Sequence, residues 1–269
     1  SLADRAAGWP WWLLIVLLMG SLLIYKFVTN AQYKQVIGTL STGLSLTVFV
    51  TMTAYSIAVT LGLLTGIGQL SRNLVIRNLA VLYVQVVRGV PILVQIFYTA
   101  FVIVPLAIGA INGLGEWLAA RGLLSAENSL SGLGVQDVGF IARGIIALAI
   151  AYGAFSSEIF RAGIQSIERG QIEAAQALGL SRFQSLRLII LPQAIRRVLP
   201  PLGNDFISML KESSLVSVLG VGEITQLGKK YAAASFLYPQ TYNTLAFLYL
   251  CMTLLLSMGV KWLERKMKS

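Results

Sequence analysis

The sequence predicts an all-α integral membrane protein. Three observations carry that expectation: 56% of the residues are hydrophobic, only 12% are charged, and the mean hydropathy is +0.75. Soluble domains carry about a quarter charged residues, so this chain has too little polar surface to coat a water-facing globule. Its 269 residues would suit one or two soluble domains by length alone. There is no His and a single Cys, Cys251. That excludes His-dependent triads, the usual zinc sites and any disulfide framework within the chain. The formal charge of +10 would suit nucleic acid in a soluble protein. In a lipid-embedded chain basic residues mark the cytoplasmic ends of spans instead.

A helix needs about 20 predominantly apolar residues to cross the hydrocarbon core, and six stretches are read that way. The first covers residues 6–25, with Trp9, Trp11 and Trp12 placed like an interfacial belt. The alternative, a secretory signal, wants a positive start, and Asp4 here cancels Arg5. The charge-free stretch 35–71 is too long for one simple crossing. Its small, polar beginning, residues 38–43, is read as a lead-in and the span as 44–70. The third span, 81–111, contains Arg88-Gly89-Val90-Pro91. A kink is expected there, because proline removes a helical hydrogen bond. The fourth, 138–162, holds Arg143 and Glu158; the fifth, 202–221, holds Asp205, Lys211 and Glu212; the sixth, 241–260, is free of charge and leads into a basic tail.

Six crossings with both termini cytoplasmic put Arg5, Arg72, Arg77, the basic group from Arg161 to Arg197, and Lys261, Arg265, Lys266 and Lys268 inside. Lys26, Lys34, Arg121, Arg143, Lys229 and Lys230 then fall outside. The ratio is about two to one in the sense the positive-inside rule requires. The inverted topology would put the long Arg-rich segment on the wrong side.

The segment between the fourth and fifth spans is the most informative. Residues 167–178 are mostly strong helix formers. Gly179 followed by Ser181 reads as a helix stop and a new N-cap, and Phe183, Leu186 and Ile190 recur at helical spacing. Two short helices joined at a glycine on the cytoplasmic face could be gripped by a partner's groove. They could equally lie on lipid as an amphipathic hairpin, and the residues alone leave both readings open.

The string Glu173-Ala174-Ala175, three residues, Gly179, nine residues, Ile189, one residue, Leu191-Pro192 resembles the EAA signature. That signature belongs to membrane subunits of binding-protein-dependent ATP-binding-cassette importers. Arg88-Gly89-Val90-Pro91-Ile92-Leu93-Val94-Gln95 resembles the RGxPxLVQ motif of the polar amino-acid permeases, the histidine and glutamine group. Residues 158–167, Leu191-Pro192-Gln193-Ala194, Asn204 and Lys211-Glu212-Ser213-Ser214-Leu215 are similar to stretches around that group's EAA loop. The resemblance extends over about residues 44–260. Two departures stand out: Ser156-Ser157, where Ala is expected just before Glu158, and Arg161-Ala162-Gly163, where Arg-Gly-Gly is usual.

The resemblance implies a type I importer transmembrane domain of five core spans plus one extra N-terminal span. The added helix would occupy residues 1–30 and the domain 38–268, with the coupling loop at about 165–198. It implies contact with an ATPase subunit through Glu173, Ala174, Ala175, Ala177, Gly179 and Phe183. Arg88, Gln95, Glu158, Asn204 and Lys211 become candidates for the substrate pathway. The implied partners are an ATPase dimer, a second permease subunit (identical or homologous), an extracytoplasmic amino-acid-binding protein and lipid, in a bacterial inner membrane. No cofactor is expected in this chain; ATP and Mg belong to the ATPase. The chain has no Gly-x4-Gly-Lys-Ser/Thr phosphate loop, since Gly222 to Gly228-Lys229-Lys230 has the wrong spacing and no hydroxyl for magnesium.

A charge at the bilayer centre costs about 2.5–3.5 kcal/mol on insertion scales, so intramembrane charges should pair or face a cavity. Glu158 and Arg161 stand one helical turn apart and are expected to pair. Lys211 and Glu212 are adjacent and are expected to point to different sides. Gly62–Gly66 and Gly109–Gly113 fit the small-xxx-small packing pattern. Tyr25, Tyr33, Tyr231, Tyr238 and Tyr242 lie near expected outer ends as interface anchors. The competing reading is an ion-coupled secondary transporter of small polar solutes. It would show corresponding broken segments in two repeated halves, which the sequence lacks. A Ser–His intramembrane hydrolase is excluded by the absence of His, and a membrane-anchored assembly protein is the third class.

Overall fold

A computed structural model describes residues 11–123, 125, 130–177 and 179–268. Side chains 12, 13, 169, 172, 176, 182, 186 and 268 are not among those described. The start of the first expected span, with Trp9, lies outside the described residues. All regular structure among them is helical: α1 (Trp11–Thr29), α2 (Ala31–Ser41), α3 (Leu44–Gln69), α4 (Leu74–Gly89), α5 (Ile92–Tyr98), α6 (Val104–Ala120), α7 (Phe140–Gln165), α8 (Arg169–Ala177), α9 (Arg182–Ser185), α10 (Leu191–Glu212), α11 (Ile224–Ser235) and α12 (Tyr238–Lys268). A π turn, Thr99–Ile103, joins α5 to α6, and a second, Leu186–Ile190, leads into α10.

The core is the pairing of α3 with α7, joined by α5 and α10. Ala54, Ala58, Ala147, Ala151, Tyr152 and Met209 are almost fully buried in one cluster. Small residues let the two backbones approach. A Cβ added at Gly62 would stand 2.7 Å from the Ser156 Cβ, and one at Gly66 2.9 Å from the Ser157 carbonyl. In lipid, where apolar side chains gain nothing by leaving the solvent, such close van der Waals packing holds helices together. The expected Gly62–Gly66 contact is therefore present. At Gly109 and Gly113 nothing lies within 4 Å of an added Cβ, so among the described residues no helix packs on that pair.

A second cluster, Val36, Leu40, Ile224, Leu245 and Leu248, joins α2, α11 and α12. Glu223, fully buried, caps α11 by accepting from the Thr225 and Gln226 N–H groups at 2.9 and 2.8 Å. Tyr249 donates to the same carboxylate at 3.2 Å, and the Ile224 N–H donates to Thr47 Oγ1 at 3.2 Å. This fixes α11 at the end of the bundle where α3 begins. α1 meets the body through Phe27, whose ring packs on Tyr33 and Phe247 at centroid distances of 6.0 and 5.2 Å.

Among the described residues, four helical runs are long and apolar enough to cross a membrane: Ala31–Gln69, Ile92–Ala120, Phe140–Gln165 and Tyr238–Met267; Leu14–Thr29 is shorter. Residues 38–41, read as a polar lead-in, are the end of helix α2. The expected third span is two helices, because Val90 and Pro91 are extended (ψ 134° and 138°) and separate α4 from the run beginning at Ile92. The expected fifth span begins earlier, at Leu191, keeps Pro200 and Pro201 inside the helix, and ends at Glu212 in a 3-10 turn, Ser213–Leu219.

Candidate functional site

The segment after α7 forms a tight corner. α8 ends at a left-handed Gly179 (φ 77°), a region open to glycine at little cost, and the Leu180 N–H closes the turn onto the Ala175 carbonyl at 3.1 Å. Ser181 then caps α9. Its Oγ accepts from the Gln184 N–H at 3.3 Å while Gln184 Oε1 accepts from the Ser181 N–H at 2.8 Å, a reciprocal box. The stop and N-cap read from the sequence are both present. Glu173, Ala174, Ala177 and Phe183 are exposed, Phe183 by 68%, whereas Ala175 is 1% exposed and faces inward. The corner is tied back to the bundle by Arg197, which donates to the Ser166 carbonyl.

Above this corner, α7 and α10 meet along a polar seam. Ser156 donates to Asp205 Oδ2 at 2.9 Å, and Tyr55 of α3 donates to the Leu202 carbonyl at 2.5 Å. An open cavity of about 500 Å³ lies lower on the seam between Glu158, Ile159, Ala162, Gly163, Ser166, Arg197 and Pro201. Gly163 has no room for a side chain against Val198. Higher up, Lys211, Glu212, Ser214 and Leu215 face Ile92 and Leu93 across a cavity of about 420 Å³. Lys211 and Glu212, expected on different sides, both border this cavity, because the helix gives way to a 3-10 turn immediately after them. Glu212 Oε2 is buried without a hydrogen-bond partner. Among the described residues, neither Asp205 nor Glu212 forms an ion pair with Lys or Arg.

Glu158 is the charged node of the lower half. Arg161 Nη2 donates to its Oε2 at 2.6 Å, Arg161 Nη1 donates to Gln165 at 2.9 Å, and Arg88 Nη1 stands 3.9 Å from the same Oε2. The expected Glu158–Arg161 pair is therefore formed. Gln95 is 9% exposed, and its Nε2 donates to the Val87 and Val90 carbonyls at 2.7 Å each. Asn204 and Lys211 are exposed on α10. Of the five pathway candidates, Arg88 and Glu158 come together, Gln95 gives its amide hydrogens to backbone while its buried Oε1 has no partner, and Asn204 and Lys211 remain on the α10 surface.

Two features escaped the sequence reading. The Ser156–Asp205 bond falls on one of the two departures from the permease pattern, and that departure was the available signal. Arg143, 6% exposed, donates from Nε to Val138, from Nη1 to Ala100 and from Nη2 to Val135 carbonyls at 2.7, 3.0 and 2.5 Å. Charge counting had treated it only as an outer-end charge.

Comparison with known proteins follows the same lines. Residues 58–269 match the family described as binding-protein-dependent transport system inner membrane component. The glutamine transport system permease protein GlnP of Escherichia coli K12 is 32% identical over 226 residues, covering 84% of this chain and 91% of that protein. The probable amino-acid permease protein YxeN of Bacillus subtilis 168 is 34% identical over 229 residues, covering 85% and 91%. A chain from the crystal structure of an amino acid ABC transporter with histidines superposes with a TM-score of 0.70 at 33% identity, covering 89% of this chain and 98% of that one. With the family matched over most of its length and the same helical architecture in a solved relative, the chain belongs to the inner membrane components of binding-protein-dependent ABC transport systems.

Proposed function

We propose that this chain is the permease half of an ATP-driven importer of polar amino acids and that the α8–α9 corner is its coupling element. Two copies, or one copy and a homologous subunit, enclose the pathway. The observation that carries the reading is the corner itself: a rigid turn at Gly179 that presents Glu173, Ala174, Ala177 and Phe183 while Ala175 anchors it inward. The relatives named for glutamine and amino-acid transport support the substrate class.

ATP, with Mg, binds on the partner ATPase subunits. Their closure pulls the corner and turns the spans outward to receive substrate from a binding protein; hydrolysis returns them inward. ATP shifts this equilibrium only through a difference in affinity for the two states. Asn204 and Lys211 on α10 face the pathway, while Arg88, Gln95 and Glu158 shape the helix break beside it. The setting is a bacterial inner membrane, with both termini cytoplasmic and α1 an addition ahead of five core spans.

The test is cross-linking in the assembled complex, with Cys251 replaced by Ser and Ala174→Cys or Ala177→Cys introduced. Capture of the ATPase subunit is expected from both positions. Glu173→Lys should leave membrane insertion intact while abolishing stimulation of the ATPase by loaded binding protein. Failure to capture the ATPase from either position, or uptake that follows a sodium or proton gradient and ignores ATP, overturns the reading.

A further inference from the structure

The sequence motif Arg88 to Gln95 is not accounted for by a coupling corner that sits elsewhere. We propose that Arg88 and Glu158 are positioning residues that carry movement of the corner to the helix break at Pro91. Gln95 is the strap that allows the break to bend. This rests on the coupling role assigned above to α8 and adds the route by which that role reaches the pathway.

The break comes first. Pro91 has no N–H, so the Val87 carbonyl loses its usual helical donor and keeps only a long bond from the Val90 N–H at 3.4 Å, while the extended Val90 turns its own carbonyl out of the ladder. Gln95 gives one amide hydrogen to each, both at 2.7 Å. An unpaired carbonyl in a dry interior is costly. A break whose orphan groups are held by a side chain can change angle while they stay bonded, because the side-chain torsions follow. The motif therefore encodes a hinge whose two carbonyls are held by a side chain, with the proline that opens it and the glutamine that services it four residues apart, while Gln95 Oε1 is buried without a partner.

The link to the corner comes second. Glu158 lies seven residues before the end of α7, about 10 Å along the axis at about 1.5 Å per residue, and the α8 corner follows that end. Its carboxylate is held closely by Arg161 on its own helix and loosely, at 3.9 Å, by Arg88 at the last turn of α4. The Arg88 guanidinium also lies over the Phe155 ring at 5.8 Å. A long, half-exposed contact adds little static stability and is easily made or broken. It is the only ion pair that crosses from α7 to α4 among the described residues. Beyond the hinge, Ile92 and Leu93 form the wall opposite Lys211 and Glu212. A shift of the α7 end that tightens or releases Arg88 turns α4 against α5 and moves that wall. Closing and opening of this 3.9 Å contact is, in this proposal, the two-state element that coupling between distant sites requires.

The experiment uses the full complex in proteoliposomes with its ATPase and binding protein, measuring radiolabelled glutamine and, separately, arginine uptake together with ATP hydrolysis. Arg88→Met and Glu158→Gln should each lower the amino acid carried per ATP by about fivefold or more, with the substrate concentration at half-maximal uptake unchanged. Arg88→Lys should restore most of the ratio. The double variant should be no worse than either single one, as for two residues acting through one contact. If Arg88→Met does not assemble, Glu158→Gln carries the same measurement. Uptake and hydrolysis falling in parallel, an unchanged ratio, a shifted half-saturation, or additive effects would each overturn the proposal. Loss of ATP dependence in the unaltered complex would instead remove the coupling role beneath it.

Discussion

Gln95 marks the limit of what single residues disclose before a structure exists. Pro91 is legible, since a proline in an apolar run must interrupt a helix, and the interruption is where it was expected. The partner that repairs it was not legible. A side chain reaching back to two carbonyls depends on a rotamer, which leaves no trace in periodicity, so in the sequence only the resemblance marks Gln95, as a pathway candidate. The structure spends both its amide hydrogens on Val87 and Val90. Gln95→Leu should therefore destabilise the protein by about 1–3 kcal/mol, the cost of leaving the Val90 carbonyl unsatisfied and Val87 with only its long bond from the Val90 N–H, read as a lowered Tm in detergent. A melting temperature unchanged by Gln95→Leu would contradict the strap. Arg143 teaches the same lesson with a charge. It satisfies three carbonyls from the loop before α7 and the π turn after α5, contacts that only the folded backbone creates.

At the scale of elements, the glycines separate what spacing can and cannot say. Two pairs fit the same four-residue pattern, yet only Gly62–Gly66 lies in a helix contact, because only α3 has a partner, α7, along that face. The pattern records an ability to approach closely and not the presence of something to approach. Gly62→Ala forces its Cβ to 2.7 Å from that of Ser156, and overpacking of this kind costs about 1–3 kcal/mol. Gly109→Ala meets nothing within 4 Å and adds a better helix former. Thermal unfolding of the two variants in one detergent should show a fall for the first and no loss for the second. Equal effects would mean that α3 and α7 are not packed as described. The α8–α9 corner was more readable, because a left-handed glycine followed by a serine cap is local chemistry. Backbone within a few residues decides it, whatever the bundle does.

At the scale of the whole molecule, hydropathy finds the helices free of clustered charge, the buried α7 among them, and passes over the one that carries charge. The runs containing α3, α5–α6, α7 and α12 qualify as spans by length and composition. α10 does not, since Arg196, Arg197, Asp205, Lys211 and Glu212 interrupt it, and part of that polarity meets Ser156 across the seam with α7. Polar groups facing protein in this way are tolerated at membrane depth. The proposed six crossings therefore rest on packing and charge together, and their test is sidedness. α11 is fixed beside the start of α3 by Glu223 and Thr47, at one end of α12. Lys261 lies toward the other end of that 31-residue helix, and Ser181 lies in the corner beyond α7. In a Cys251→Ser background, Lys230→Cys should react with a membrane-impermeant maleimide in cells whose outer barrier is opened. Lys261→Cys and Ser181→Cys should react only after the inner membrane is permeabilised. All three positions are exposed, so accessibility within the chain does not bias the result. Labelling of Ser181→Cys from outside would invert the topology and remove the corner from the reach of any cytosolic ATPase.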